Sequence, residues 1–504
     1  YGDPRDLHSF PTRRSSDLFT NLQLFMCSGE EKNHLHKHKI SSEISGFCYS
    51  LNIFIMKITT FLLFVLSLAL YACTGNQTIV TPETALEAYI NSDDKTYKWE
   101  KREEFSSDGL RIAVLKLTSQ KWREYIWMHQ LTVIAPSGTP SEGALLFITG
   151  GSNRDGEPNW QDKDNEIFKM LTMVSAKNNA VVAIISQVPN QPLYGDLTED
   201  ALISYTLHNF KNDRDFTWPL LFPMTKSAIK AMDAVQEYSE QVLNHRISGF
   251  VVTGASKRGW TTWLTGSQDK RVLAVAPMVI DVLNMPVSIP YHKEVWGDYS
   301  EQIEDYVELG IAQDMESQEG KDLATMIDPY SYRATLTMPK LIIIGTNDEY
   351  WPVDAIKKYY NDIPGENYIH YEPNAGHSLG DGVGAIKAIS AFFNICINKK
   401  NHPAVEWQVV SDAEKTDLTV KASPELKEVN LWICDSPDRD FRDNQFMEKD
   451  VEYADFGSIN VIVGHADTGF RAFYLELVYP DPVEGIYSKS TRMFVSDDDE
   501  LFLN

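Results

Sequence analysis

Apolar and polar positions follow two different patterns along the chain. Within residues 144–397, short continuous apolar runs at 144–148, 180–185, 249–252, 273–280 and 340–344 alternate with stretches of helical spacing. The helical stretches are 166–177, 226–243, 354–360 and 385–397, with a short strand at 368–371 between the last two. Brief apolar runs bounded by turn residues predict strands buried on both faces. Their alternation with helices predicts a mostly parallel sheet covered on both sides. Ahead of this region, 111–117 and 127–135 read as a first pair of strands, and Thr81-Pro82-Glu83 as a helix start with Thr as cap and Pro in the first turn. Two insertions break the alternation. Residues 189–223 carry Tyr194, Trp218 and several prolines and read as a long loop, and 284–333 are acidic and helical around 301–313. Long insertions in a compact fold serve as lids or binding loops, and both fall where a cap would cover the C-terminal ends of the strands.

After Pro403 the pattern changes. Segments 405–410, 418–422, 429–434, 459–463 and 470–478 are short and alternating, separated by polar turns. They predict an all-β module over 404–504, a small sandwich apart from the α/β domain of 80–402 and far from its chemistry. At the other end, 8–18 reads as translated adaptor sequence, and the whole of 1–55, with His34, His36 and His38 among lysines, as non-native read-through. Met56 then begins a segment with Lys57 as its positive start and an apolar run over 58–70, ending in Leu70-Tyr71-Ala72-Cys73. That run is short for a membrane span of ~20 residues and fits a signal peptide. Cys73 is the candidate lipidation site, although Tyr71 stands where a lipobox carries a small residue. The expectation is an exported protein, a periplasmic or outer-membrane lipoprotein that meets the membrane only through its lipid.

Composition narrows the function. A hydrophobic fraction of 43%, with 23% charged residues, is that of a globular chain. The formal charge of −25 would repel a phosphate backbone, so nucleic acid is not an expected partner. Of the five cysteines only Cys396 and Cys434 lie beyond the signal segment. No Cys/His spacing reads as a zinc site, and neither metal nor cofactor is expected.

The candidate chemistry begins at Gly254-Ala255-Ser256-Lys257-Arg258-Gly259, between an apolar strand and a segment able to continue as a helix. A nucleophile elbow needs a Ser on such a tight turn, with small neighbours that let the backbone pass. Here the spacing is G-x-S-x-x-G, with Arg258 where the second glycine of the common motif stands. Strand 340–344 runs into Gly345-Thr346-Asn347-Asp348-Glu349, and strand 368–371 into Asn374-Ala375-Gly376-His377. Ser, Asp and His in that order, each after its own strand, predict an α/β-hydrolase fold with Ser256 as nucleophile, His377 as base and Asp348 as the acid. Asp281 is the runner-up acid and Glu349 a weaker one. Backbone N–H groups of Lys257 and of Gly151 and Ser152 are the candidate oxyanion donors. Trp160, Tyr194, Trp218, Arg258 and Trp351 are candidates for holding substrate; Trp260 and Trp263, at helical spacing, read as core.

The stretch Thr253 to Trp263, with Asp269-Lys270-Arg271-Val272, resembles the PhoPQ-activated pathogenicity-related protein family. So do Pro189-Asn190-Gln191-Pro192-Leu193, Trp218-Pro219-Leu220, Pro223-Met224, Asp328-Pro329-Tyr330 and Met338-Pro339-Lys340. The similarity runs over roughly residues 80–500 and implies an α/β-hydrolase domain with a β-sandwich-like extension. The elbow also resembles that of bacterial glucuronoyl esterases. The expected activity is hydrolysis of an ester or amide bond in a small-molecule, carbohydrate-ester or peptide substrate. A glucuronoyl-esterase-like carbohydrate esterase and an aminopeptidase-like peptidase, the latter using acidic residues near Glu301–Asp305, stay open. So does a non-catalytic surface binding or signalling protein on the same scaffold.

Overall fold

The computed structural model describes residues 49, 54–60, 79–138 and 140–504. It divides into two units, Tyr1–Ile79 and Val80–Asn504. In the first, 54–60 are helical; Cys73, the apolar run beyond Thr60 and the histidines at 34, 36 and 38 lie outside the described residues. Among the described residues no helix is long and apolar enough to cross a membrane.

The second unit is organised on one sheet of 14 strands. Strands β1 (Lys98–Ser107), β2 (Leu110–Trp122) and β3 (Tyr125–Pro136) form an antiparallel meander, followed by β4 (Ser141–Ile148). A small ribbon, β5 (Asn153–Arg154) with β6 (Glu157–Pro158), precedes β7 (Ala180–Ile185), β8 (Gly249–Ala255), β9 (Val272–Met278), β10 (Lys340–Gly345) and β11 (Asn367–Glu372). In space the order is β1-β2-β3-β7-β4-β8-β9-β10-β11, and every neighbouring pair from β7 to β11 is parallel.

Alternation along each strand feeds two cores. Leu145, Phe147, Val182 and Ile184 face helices Glu166–Asn178 and Val383–Ile397, whereas Leu146, Ile148, Val181 and Ala183 face helices Leu221–Tyr238 and Lys257–Gln268. Such a sheet, helices on both faces and β7 inserted between β3 and β4, is the α/β-hydrolase fold. β1 lies in a stretch that hydrophobic spacing passes over, because as an edge strand it is mostly exposed and rich in Lys and Glu.

The C-terminal strands are β12 (Val405–Ser411), β13 (Lys415–Ala422), β14 (Glu428–Ser436), β15 (Met447–Asp450), β16 (Ile459–Gly464), β17 (Phe470–Pro480), β18 (Ile486–Ser490) and β19 (Phe494–Ser496). β12, β13 and β16 form a sheet of their own, whose Leu418, Val420 and Val461 pack on Leu431, Phe473 and Leu475 of β14 and β17. This two-layered, all-β arrangement is not set apart from the α/β sheet. β18 pairs with β11 at Ile369–Ser490, so β18, β17, β14 and β15 continue the same sheet.

The insertions are more helical than their composition predicts. The 189–223 segment, expected to be a loop, holds the helix Glu199–Asp213. The 284–333 segment folds into helices Met285–Trp296, Glu304–Glu308 and Gln318–Ile327 joined by tight 3-10 turns.

Candidate active site

Ser256 is the residue on which β8 turns into the helix Lys257–Gln268, and its backbone sits at φ 58, ψ −125. A non-glycine residue at positive φ is costly and persists only where the surroundings fix it. Here they do. Ser256 N donates to Met278 O at 2.9 Å. A Cβ on Gly254 would meet Ile148 O and Arg258 O at 2.9 Å, and one on Gly259 would meet Met278 O at 2.6 Å. Both glycines of the motif are therefore demanded by close backbone approach.

The loops after β10 and β11 deliver the other two groups. His377 Nδ1 lies 3.0 Å from both Asp348 Oδ1 and Oδ2, and Ser256 Oγ lies 2.9 Å from His377 Nε2. An ionised carboxylate can only accept, so Nδ1 carries the proton and Nε2 is free to accept from the serine hydroxyl. Asp348 is 4% exposed and also accepts from Tyr350 N at 2.9 Å. Burial pushes its carboxyl upward, and the His377 contact opposes that shift. Tyr350 stacks on the imidazole with ring centroids 4.0 Å apart.

The two runner-up acids stand elsewhere. Asp281 accepts from Tyr359 OH at 2.7 Å, and burial drives its carboxyl up to about 8. Glu349 accepts from the backbone N–H of His377 at 2.8 Å and so fixes the His loop without touching the ring.

Lys257, directly after the serine, is the first residue of its helix, where backbone N–H groups lack intrahelical acceptors. Gly151, at φ 131, follows the end of β4. Gln191 Nε2 holds Gly151 O at 3.1 Å, and Gln187 N holds Gly150 O at 2.8 Å. Ser152 is tied to the β5–β6 ribbon through Asn159 N at 2.9 Å.

The substrate-holding candidates separate. Trp351 lines a cavity that opens on Ser256, and so does Trp260, a residue read as core. Tyr194 and Trp218 belong to an aromatic cluster with Trp122 and Tyr205, and Trp160 is covered by the Arg102 guanidinium at 3.8 Å. These three are not among the residues that line this cavity.

Arg258 points away from the cavity. It is buried and forks onto Glu199 at 2.6 and 2.7 Å, with Nε on Val188 O, leaving no face for a substrate. Its guanidinium occupies the space a Cβ on Gly150 would need, at 2.5 Å. Glu199 in turn is bound to Gln191 at 2.6 Å. The sequence reading missed Glu199, Asp200, Tyr306 and Tyr350. The first three lie inside the insertions, where no motif marks them; Tyr350 is two residues from Asp348 and was within reach of the same argument. Among the described residues no group of three or more His, Cys, Asp or Glu side chains is placed to hold a metal ion.

Fold and elbow together define an α/β-hydrolase-fold protein. The model of the PhoPQ-activated pathogenicity-related protein family matches residues 86–442, and the chain belongs to that family. A relative, the Autocrine proliferation repressor protein A of Dictyostelium discoideum, is 29% identical over 448 residues, 82% of this chain and 90% of its own length. Among solved structures, the acetyl xylan esterase from Paenibacillus sp. R4 aligns at 15% identity and TM-score 0.42, covering 58% of this chain and 86% of that one. The glucuronoyl esterase from Solibacter usitatus aligns at 10% identity and TM-score 0.38, covering 63% and 91%.

Proposed function

We propose that this chain is an exported serine hydrolase that cleaves an ester or amide bond with Ser256 as nucleophile. The observation that carries the reading is the unbroken path from Asp348 through His377 to Ser256 Oγ, with contacts of 3.0 and 2.9 Å. Ser256 is a poor nucleophile by itself. His377 Nε2 takes its proton as Oγ attacks the carbonyl carbon, and Asp348 stabilises the imidazolium that forms. The carbonyl oxygen becomes an oxyanion facing Lys257 N–H and the 150–152 loop, where preorganised donors act on developing charge. His377 then protonates the leaving group. Water, activated by the same imidazole, releases the acyl group from Ser256.

A fluorophosphonate probe tests this directly. It should label Ser256 in the wild-type chain and fail on Ser256→Ala and His377→Ala, and a panel of ester and aminoacyl substrates then separates esterase from peptidase. Unlabelled Ser256 in folded protein would overturn the proposal. Export is supported by the 56–73 segment, with Cys73 as the lipid anchor. Changing Cys73→Ala should release the protein from membranes, and an unmodified mature N-terminus at another residue would remove the lipoprotein part alone.

The name of the Dictyostelium relative favours a second reading, a signalling protein on a hydrolase scaffold. That reading predicts a biological effect that survives Ser256→Ala.

A further inference from the structure

The cavity beside Ser256 runs beneath the 284–333 insertion. Trp260 and Trp351 wall it on the side of the sheet, and Met285, Ile303, Ala312 and Met315 on the side of the insertion. Its two charged residues neutralise each other, since Lys257 Nζ lies 2.5 Å from Asp200 Oδ2. Tyr306 OH donates to Asp200 Oδ1 at 2.9 Å. A sugar ring or a substrate ammonium entering here would lose its water and find these polar groups already engaged, which costs the full desolvation of each unpaired group.

The position of His377 decides which part of a substrate the cavity receives. The leaving group must lie within reach of His377 Nε2 to take its proton. His377 is not part of the cavity wall, whereas Tyr350, stacked on the imidazole, is. The leaving group thus departs on the His377 side, and the acyl substituent points into the cavity. Size sets the next limit. The cavity volume is about 60 Å³, roughly four water-sized spheres and well short of the ~150 Å³ that encloses a benzene ring.

Resting on the serine-hydrolase reading, we propose that this cavity is an acyl pocket for a compact, uncharged, apolar acyl group of about two to four carbons. The substrates are short-chain acyl esters or amides of a larger alcohol or amine that stays on the His377 side. Attack by Ser256 Oγ breaks the bond to that alcohol or amine, which leaves with the proton carried by His377. The short acyl group remains on Ser256 until water displaces it as the free acid.

The test uses the full chain and p-nitrophenyl acetate, butyrate, octanoate and decanoate, alongside fluorophosphonate labelling. The expected result is the highest kcat/KM on acetate or butyrate, with a fall of at least ~10-fold at octanoate, as a few methylenes too many for a narrow apolar pocket imply. Met315→Ala, which enlarges the pocket, should raise the octanoate-to-acetate ratio, and Ala312→Leu, which fills it, should lose butyrate before acetate. With Ser256 labelled, a rate that climbs through octanoate and decanoate, or ratios unmoved in both folded variants, would overturn the acyl pocket while leaving the hydrolase reading standing. Failure to label Ser256 would remove both.

Discussion

Asp281 and Asp348 show how surroundings divide two chemically identical side chains. Both are buried, but Asp348 faces an imidazole N–H and Asp281 a tyrosine hydroxyl. Asp348→Asn should therefore leave His377 in the wrong tautomer and cost up to ~10⁴-fold in turnover, whereas Asp281→Asn should keep activity within a few fold; steady-state kinetics on any accepted ester decides. The same pair differs in its effect on stability. Burial lifts Asp281 from 3.8 to about 8, so the folded protein keeps a proton that the unfolded chain releases. That contribution is present in full at low pH and is lost progressively as pH rises from about 4 to about 8. Asp281→Asn removes this loss, and its stability relative to wild type should improve across that window in urea unfolding; a constant difference would show that Asp281 is ionised when folded. Arg258 illustrates what a single stretch of sequence conceals. The approach of Asp348 and His377 to Ser256 is legible in the sequence because each follows its own strand in the expected order. Arg258 is a candidate for substrate in the sequence because nothing near it names its partner: Glu199 lies 59 residues away, inside an insertion read as loop.

The prolines of 189–223 outweighed the spacing of Leu202, Ile203, Thr206, Leu207 and Phe210, which the helix Glu199–Asp213 buries along one face. The helix places Glu199 and Asp200 in its first turn, one against Arg258 and the other against Lys257. Through Glu199, Gln191 and Gly151 the elbow and the proposed oxyanion loop become one unit. Burial opposes the charge on Glu199, but Arg258 outweighs it and holds the carboxyl below the usual range. Arg258→Ala leaves that carboxylate without its partner. The expected cost is about 1–3 kcal/mol, less than for a fully buried pair because the Glu199 side chain keeps 37% exposure. It should also lower kcat by ~10–100-fold with KM nearly constant, because a displacement of about 1 Å at the reacting centre is worth that much. Equal kcat at reduced stability would show that the clamp supports the fold and not the chemistry. The insertion over the pocket has its own anchor. Asp328 accepts from Met285 N at 2.7 Å and Tyr330 N at 2.9 Å, tying the start of the helix Met285–Trp296 to the following turn.

Across the whole molecule, the C-terminal strands do more than extend the sheet. The loop between β14 and β15 reaches back to both segments that carry the proposed acid and base. Asn347, beside Asp348, donates from Nδ2 to the carbonyls of Phe441, Arg442 and Asn444 at 2.9, 3.2 and 2.7 Å. Asn374, three residues before His377, exchanges two hydrogen bonds with the backbone of Phe446 at 3.0 and 2.7 Å. Hydrophobic spacing shows where β12, β13, β14, β16 and β17 fall, and passes over the exposed β15; the change of pattern after Pro403 reads as a boundary. It cannot show that polar side chains cross it, because a single Asn next to a motif residue has no period. The contact gives a prediction whose sign is specific. Asn347→Ala removes the donors and should slow turnover by ~10-fold or more through kcat, since the acid loop loses its outer support. Asn347→Asp keeps the shape yet sets a carboxylate against three carbonyl oxygens, so it should be worse than Ala in both kcat and stability. Asn374→Ala should act on the base loop in the same way, and its effect combined with Asn347→Ala should be less than additive if one loop supports both. Fluorophosphonate labelling rates and unfolding midpoints, measured on the same preparations, separate the alternatives. Slower labelling at a nearly unchanged midpoint means that the β module sets the geometry of the site. A lowered midpoint with unchanged labelling would mean that it only closes the fold.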